Sequence, residues 1–439
     1  MLSLTTKEAI KVGLSIAISI CLALWFGWEK PYWAAIAVVV MAVNESFAHS
    51  IQKGKNRILG TLLGTTYAFF LIAMFSQQRF LFIFFFTLFM ALSLYMSSNE
   101  KHGYIFSIGF VVCAIVSCMG SFDSEMTFHF AVLRFQETLL GVLVFSYVFR
   151  LLWPMNTEKV FYQLIDGVQD ALFEKLNGKG DLKGVEAKLG KAEQILDLPL
   201  TGSFELKEHK VLWQSRMQEL KLIAHHLKDA DVDSDRASYA ELYERLLSFD
   251  KHQPDTELIS DKFSSYLEMH QSWPEKNKLA EFDARIWRVV QGVSMFLAAV
   301  ALWIYLPVPG GYIFPMLAAN LSAMLPTMPA AALKQAFWGV LGFGAVYITE
   351  YVFVMPMMTE LWELAVFYFI NVVVVWKVFN TPALIMQRIL GVNMLVVLTA
   401  SALSLTPSYS ITTPLMMVVY LVIVLMLGKL FADLFKRTV

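Results

Sequence analysis

Twelve windows of nearly continuous apolar sequence run along the chain, six before residue 155 and six after residue 284. The first six cover roughly 8–28, 32–51, 57–75, 79–97, 103–121 and 130–152; the second six cover 286–306, 311–326, 334–354, 360–378, 384–404 and 414–435. A bilayer core about 30 Å thick takes about 20 apolar residues in a helix, so each window is expected to span a membrane. The second window turns polar after Val43, and the eighth is interrupted by Pro315 and Asn320 and stopped by Pro326 and Pro329. Both are expected as short or broken helices.

Between the two sets the pattern changes to helical amphipathicity. Val160, Leu164, Val168, Leu172 and Leu176 recur at spacings of four, and similar runs lie near 185–197, 204–229, 236–249 and 257–269. This predicts a small helical bundle. Its His209, His225 and His226 lack the flanking ligands and spacing of a metal set, so no metal or cofactor is expected.

Composition sharpens the picture. Of 439 residues, 57% are hydrophobic and 16% charged, against about 25% charged in soluble domains, which excludes disorder and an ordinary cytosolic enzyme. The net charge of -1 is a cancellation. Residues 155–284 hold 17 basic and 25 acidic residues, a charge of -8, while the apolar flanks sum to +7. Cytoplasmic ends of membrane helices carry the basic excess. Counted by alternate sides, 15 Lys and Arg fall with the termini and the insert, while Lys30, Arg79 and Arg134 fall on the other side. Both termini and the insert are therefore expected in the cytosol. Cys21, Cys113 and Cys118 sit in apolar runs and read as small buried side chains. The first window ends in an aromatic run and not in a cleavage site, so it is expected to be retained.

The two apolar halves also resemble each other. A basic entry, an apolar helix, an aromatic end, a Pro turn and a Tyr-led helix occur in order through Lys11 to Ile36 and again through Arg288 to Leu317. Lys55 with Gly60 and Gly64 is answered by Lys334 with Gly339, Gly342 and Gly344. With six spans each, such halves are parallel repeats about an axis near the membrane normal. The expected fold is thus an all-α polytopic membrane protein of about 12 spans. It comprises an N-terminal repeat (1–154), a cytosolic acidic helical domain (155–284) and a C-terminal repeat (285–439).

The segments GWEKPYWAAIAVVV (Gly27 to Val40), KGKNRILGTLLG (Lys53 to Gly64) and RFQETLLGVLVFSYVFRLLWP (Arg134 to Pro154) resemble the fusaric acid resistance family of inner-membrane proteins. The stretch Pro307 to Ala345 is similar to the second half of aromatic carboxylic acid efflux pumps within that family. This resemblance implies an exporter of small organic anions, often aromatic, in the bacterial inner membrane, working with a periplasmic adaptor protein. The broad superfamily includes anion channels as well.

Ionisable groups within spans are costly and usually face a cavity or a partner. Arg134 and Glu137, at i and i+3, share a helix face. Either they form a structural ion pair, or Arg134 attracts an anionic headgroup while Glu137 binds the exchanged proton. Asn44 and Glu45, with His49 one turn on, are a second candidate for the substrate or proton pathway, against a solvated helix end. Asn320 occupies the corresponding region of the second half without a charge. Lys53, Lys55 and Arg57 form a basic cluster that either draws anions to the cytosolic mouth or simply marks topology. Gly60 and Gly64 make a small-residue face for helix packing. Glu350, Glu360 and Glu363 lie near outer helix ends and read as interfacial, and the Phe- and Tyr-rich tracts 80–89 and 351–369 read mainly as lipid-facing surface.

Three functions fit these features. The first is a proton-driven exporter of small organic anions, homo-oligomeric and docked to an adaptor. A passive anion channel and a non-transporting scaffold whose acidic domain recruits partners are the others. No nucleotide-binding loop, nucleophile elbow or zinc signature points to an enzyme, and no nucleic acid partner is expected.

Overall fold

The computed structural model describes residues 3–42, 47–99, 102–120, 123–153, 157–177, 182, 184–197, 204–228, 278–306 and 308–435. Among these residues the fold is entirely helical. The chain divides into two compact units, one of Met1–Val43, Lys53–Trp153 and Lys278–Val439, the other of Asn44–Gln52 and Pro154–Asn277.

In the first unit the helices of the first half are α1 (Leu4–Trp25), α2 (Tyr32–Ala42), α3 (Phe47–Phe75, whose first six residues fall to the other unit), α4 (Arg79–Met96), α5 (Gly103–Met119) and α6 (Ser124–Leu151). Among the described residues, eight helices are long and apolar enough to cross a membrane, and four apolar helices are shorter: Tyr32–Ala42, Gly103–Met119, Ile313–Thr327 and Ile385–Leu398. The chain is a membrane protein with multiple spanning helices. Local chemistry sets the helix ends. Ser3 Oγ accepts the Thr6 N–H at 3.2 Å and Asp123 Oδ1 accepts the Met126 N–H at 2.9 Å, satisfying amides that lack helical partners. Gly27, at φ 71°, closes α1 in the left-handed region, where the Trp28 N–H returns to the Ala23 carbonyl at 2.9 Å.

The second half of this unit contains the 278–305 helix and five more. In chain order, with α7 to α10 reserved for the second unit (Thr157–Leu176, Val185–Asp197, Phe204–Glu208 and Lys210–Lys228), they are α11 (Lys278–Tyr305), α12 (Ile313–Met324), α13 (Ala330–Phe353), α14 (Leu361–Val378), α15 (Ile385–Leu398) and α16 (Thr412–Leu434). Two expectations need correction. Pro315 and Asn320 do not interrupt the eighth window, because α12 runs through both. Pro315 occupies the first turn, where its missing N–H has no helical acceptor to lose. The 384–404 window is not one helix: α15 stops at Leu398, and a 3-10 turn takes over at Ala400–Leu403. Thr399 sits at this break, with its Oγ1 2.5 Å from the Tyr368 hydroxyl and 2.6 Å from the Leu395 carbonyl.

Helix packing within this unit follows a reciprocal scheme. Helix α1 packs on α14, and α11 packs on α4; α2 packs on α15, and α12 packs on α5. Within each half, α2 pairs with α6 as α12 pairs with α16. Small residues allow the closest approaches. A Cβ on Gly64 of α3 would lie 2.1 Å from the Gly109 carbonyl oxygen of α5, and one on Gly141 of α6 would lie 2.5 Å from the Ala34 carbonyl oxygen of α2. The apolar core gathers Phe86, Phe89, Met90 and Phe110 of the first half with Phe296 and Ala319 of the second.

The second unit is a water-type bundle by composition. Helices α7, α8 and α10 pack on one another around Phe161, Ile165, Val168, Leu172 and Trp213, all fully buried. The Phe161 and Trp213 rings meet edge to face at 4.9 Å. Val160 and Leu164 of the expected stripe are only partly buried. Val168, Leu172 and Leu176 are in the core as expected, and the stripe begins one residue on, at Phe161 and Ile165, the mixed three- and four-residue spacing that keeps a 3.6-residue helix on one face.

Candidate functional site

The strongest chemistry in the membrane unit lies on α6. Arg134 is 2% exposed and Glu137 is fully buried, in a helix otherwise dominated by apolar residues. The guanidinium carbon of Arg134 lies 4.6 Å from the Trp33 ring centroid on α2, a cation–π contact. The close α2–α6 approach at Gly141 holds that ring against the charge. Arg134 Nε and Nη1 have no hydrogen-bond partner, and neither has either oxygen of Glu137. The two side chains therefore do not hydrogen-bond each other. The Lys30 backbone N–H approaches Glu137 without reaching hydrogen-bond geometry, and Tyr32 is also within electrostatic range. One turn on, Thr138 is 1% exposed and its hydroxyl is unpartnered.

Buried polar atoms are nearly always hydrogen-bonded, and a charge left unpaired in a low-dielectric interior is expensive. A cluster of such atoms in one place marks a position prepared for something else. Here the free groups are two guanidinium nitrogens, a hydroxyl and one carboxylate, which suits an anion at the cation and, at the carboxylate, a proton.

The basic cluster expected at the cytosolic mouth separates into three environments. Lys55 is exposed. Lys53 lies 5.3 Å over the Tyr104 ring. Arg57 is 3% exposed, its Nη1 donates to the Tyr104 hydroxyl at 3.4 Å, and its Nε is buried without a partner. It lies within electrostatic range of Arg134. Asn320 lies on α12 with Oδ1 buried and unpartnered. One turn earlier on that helix, Met316 packs against the Trp33 cluster. Asn44 and Glu45 lie outside the described residues; His49 falls in α3, but its side chain is not described.

Other expectations resolve as structure. Glu363 Oε2 accepts the Thr359 and Glu360 amides at 2.7 and 3.1 Å, which caps α14. The 80–89 tract splits, with Phe80 and Phe84 exposed and Phe86 and Phe89 in the core. Tyr351 and Tyr368 are buried, and their hydroxyls bond Ser408 O and Thr399 Oγ1. Trp33, Tyr104 and Thr138 are site residues that sequence reasoning missed. Only Thr138 carried a signal, its four-residue spacing from Arg134.

Residues 8–179 match the fusaric acid resistance protein family. The p-hydroxybenzoic acid efflux pump subunit AaeB of Edwardsiella tarda is 26% identical over 174 residues, 37% of this chain and 26% of the relative. The subunit of the same name from Musicola paradisiaca is 25% identical over 147 residues, 31% of this chain and 23% of the relative. The chain thus aligns with about a quarter of the length of the curated relatives it matches. No solved structure matches it. The relatives are transporters by name, and the match contains α1 to α6 with Arg57, Arg134 and Glu137. Over residues 8–179 the chain is thus similar to the fusaric acid resistance protein family.

Proposed function

We propose that this protein exports small organic anions, of the aromatic carboxylic acid class named for its relatives, across the bacterial inner membrane. The observation that carries this reading is Arg134, buried against Trp33 with two unpartnered nitrogens and with the unpartnered Glu137 carboxylate on the same helix. Arg134 and Trp33 bind the anion, and Glu137 carries the coupled proton. Asn44, Glu45 and Asn320 complete the pathway on sequence grounds, with Lys53 and Lys55 at its cytosolic entry.

The proposed architecture is two parallel six-helix repeats, 1–154 and 285–439, flanking a cytosolic domain, 155–284, with both termini in the cytosol. Reciprocal packing of α1 with α14 and of α11 with α4 supports the repeats. The one-sided basic residues support the orientation. Assembly as a homo-oligomer with a periplasmic adaptor is part of the proposal.

The test is p-hydroxybenzoate flux in proteoliposomes under an imposed pH gradient. The expected result is gradient-dependent flux that Arg134→Gln abolishes and Glu137→Gln uncouples from the gradient. A passive channel is the second reading, favoured by the excess of buried arginine over carboxylate around Arg134. Flux that ignores the gradient and survives Glu137→Gln selects it. Absence of flux in every arm refutes both.

A further inference from the structure

Arg57 presents a problem of charge. It is buried in α3, far from the solvated role its neighbours Lys53 and Lys55 suggest, and apart from one long bond to Tyr104 it has a free Nε. Arg134, within electrostatic range, repels it. Of the two buried guanidiniums, Arg134 is the one that acts on the Glu137 carboxylate, and that carboxylate hydrogen-bonds neither. Lys30 also acts on Glu137, but it is half-exposed and remains solvated.

Packing places the two arginines on one path. On α3, a Cβ on Gly54 would lie 3.0 Å from Met41 Sδ of α2 and 3.1 Å from Val142 Cγ1 of α6. Arg57 follows Gly54 by three residues and so stays on that face. On α6, Arg134, Thr138 and Val142 follow at four-residue spacing. With 1.5 Å per residue in these antiparallel helices, Arg57 sits about 4.5 Å beyond the Gly54–Val142 contact, Thr138 about 6 Å and Arg134 about 12 Å. Thr138, with its unpartnered hydroxyl, thus falls between the backbone levels of the two arginines. The separation of the arginines along the axis, about 7.5 Å by the same rise, is within reach of two long side chains and a small carboxylate between them.

We infer that Arg57 is a second binding residue of the anion site, supplying the charge that lets Arg134 serve both Glu137 and the transported anion. This rests on the transport reading above. With Glu137 ionised, the empty site holds two positive charges and one negative, and a monoanion brings it to neutrality. Without Arg57 the carboxylate consumes the charge of Arg134, and an incoming anion meets no net attraction.

The test is equilibrium binding of radiolabelled p-hydroxybenzoate to the purified full-length chain in nanodiscs at neutral pH. Arg57→Gln is expected to weaken binding about tenfold or more, the size of a lost charge-assisted contact. Arg57→Lys is expected to retain most of the affinity. The double variant Arg57→Gln/Glu137→Gln is expected to recover it, because removing the carboxylate restores the balance. Recovery in the double variant also shows that loss in the single one is not misfolding. The inference is overturned if Arg57→Gln binds like the native chain, or if the double variant stays as weak as the single. Loss of binding in Arg134→Gln with none in Arg57→Gln overturns it while leaving the transport reading intact. No binding by the native chain removes both.

Discussion

Arg134 is defined by what it lacks. A guanidinium buried at 2% exposure normally has its donors satisfied, yet Nε and Nη1 are free and the cation rests on the Trp33 face. Arginine and lysine differ here, since a planar guanidinium stacks on indole while a compact ammonium does not hold the same geometry. Arg134→Lys is therefore expected to keep the charge but reduce p-hydroxybenzoate affinity about tenfold, the scale of a lost desolvated cation–π contact with its hydrogen bonds. Trp33→Leu should produce a smaller loss in the same binding assay. Arg134 and Glu137 were legible in the sequence because charges inside an apolar run have few explanations. Arg57 was not. Its sequence signal is identical to that of Lys53 and Lys55, and its burial depends on Tyr104 and the α3–α5 packing, which no local pattern records.

Among the elements, α3 and α5 depend on two glycines. The backbone of α5 passes where a Cβ on Gly64 would stand, 2.1 Å from the Gly109 carbonyl, and a Cβ on Gly60 would lie 2.8 Å from the Ile105 carbonyl. These are backbone contacts and have no rotamer to yield. Gly64→Val is expected to destabilise the protein by about 1–3 kcal/mol, the cost typical of overpacking, seen as a lower melting temperature in detergent. It should also disturb Arg57, two turns before Gly64, through the shift of Tyr104 on α5. Gly342, whose added Cβ meets nothing within 4 Å, serves as the control, and Gly342→Ala should leave the melting temperature nearly unchanged. The apolar windows gave the existence of the helices because hydrophobic length dominates that signal. They gave the 384–404 region less well, since its break at Thr399 is fixed by the Tyr368 hydroxyl, a partner from a different helix. The stripe of α7 was read correctly at Val168, Leu172 and Leu176 and was off by one residue at its start, because strict four-residue spacing drifts round a helix of 3.6 residues per turn.

At the level of the whole molecule, the proposed orientation makes a simple prediction. Single cysteines at Glu29 and at His102, on a cysteine-free background, should react with a membrane-impermeant thiol reagent from opposite sides, Glu29→Cys from the periplasm and His102→Cys from the cytosol. Labelling of both from one side would remove the even count of spans in the first half. The proposed repeat rests in the sequence on the recurrence of basic entry, aromatic end and Pro turn. The pairing across the halves was not legible there, because the contact between α1 and α14, where a Cβ on Gly13 would meet Phe369 at 2.9 Å, joins segments more than 300 residues apart.

The reciprocal packing also carries a count. Helix α16 takes the place beside α12 that α6 takes beside α2, yet from Thr412 to Gly428 it contains no charged residue. Over that stretch the helix that packs like α6 has no counterpart of the Arg134–Glu137 pair. A binding isotherm for the proposed anion should therefore saturate at one equivalent per chain, whatever the number of chains in the assembly. Helix α16 is then free to change by mutation in ways that alter motion while leaving the ligand's contacts untouched.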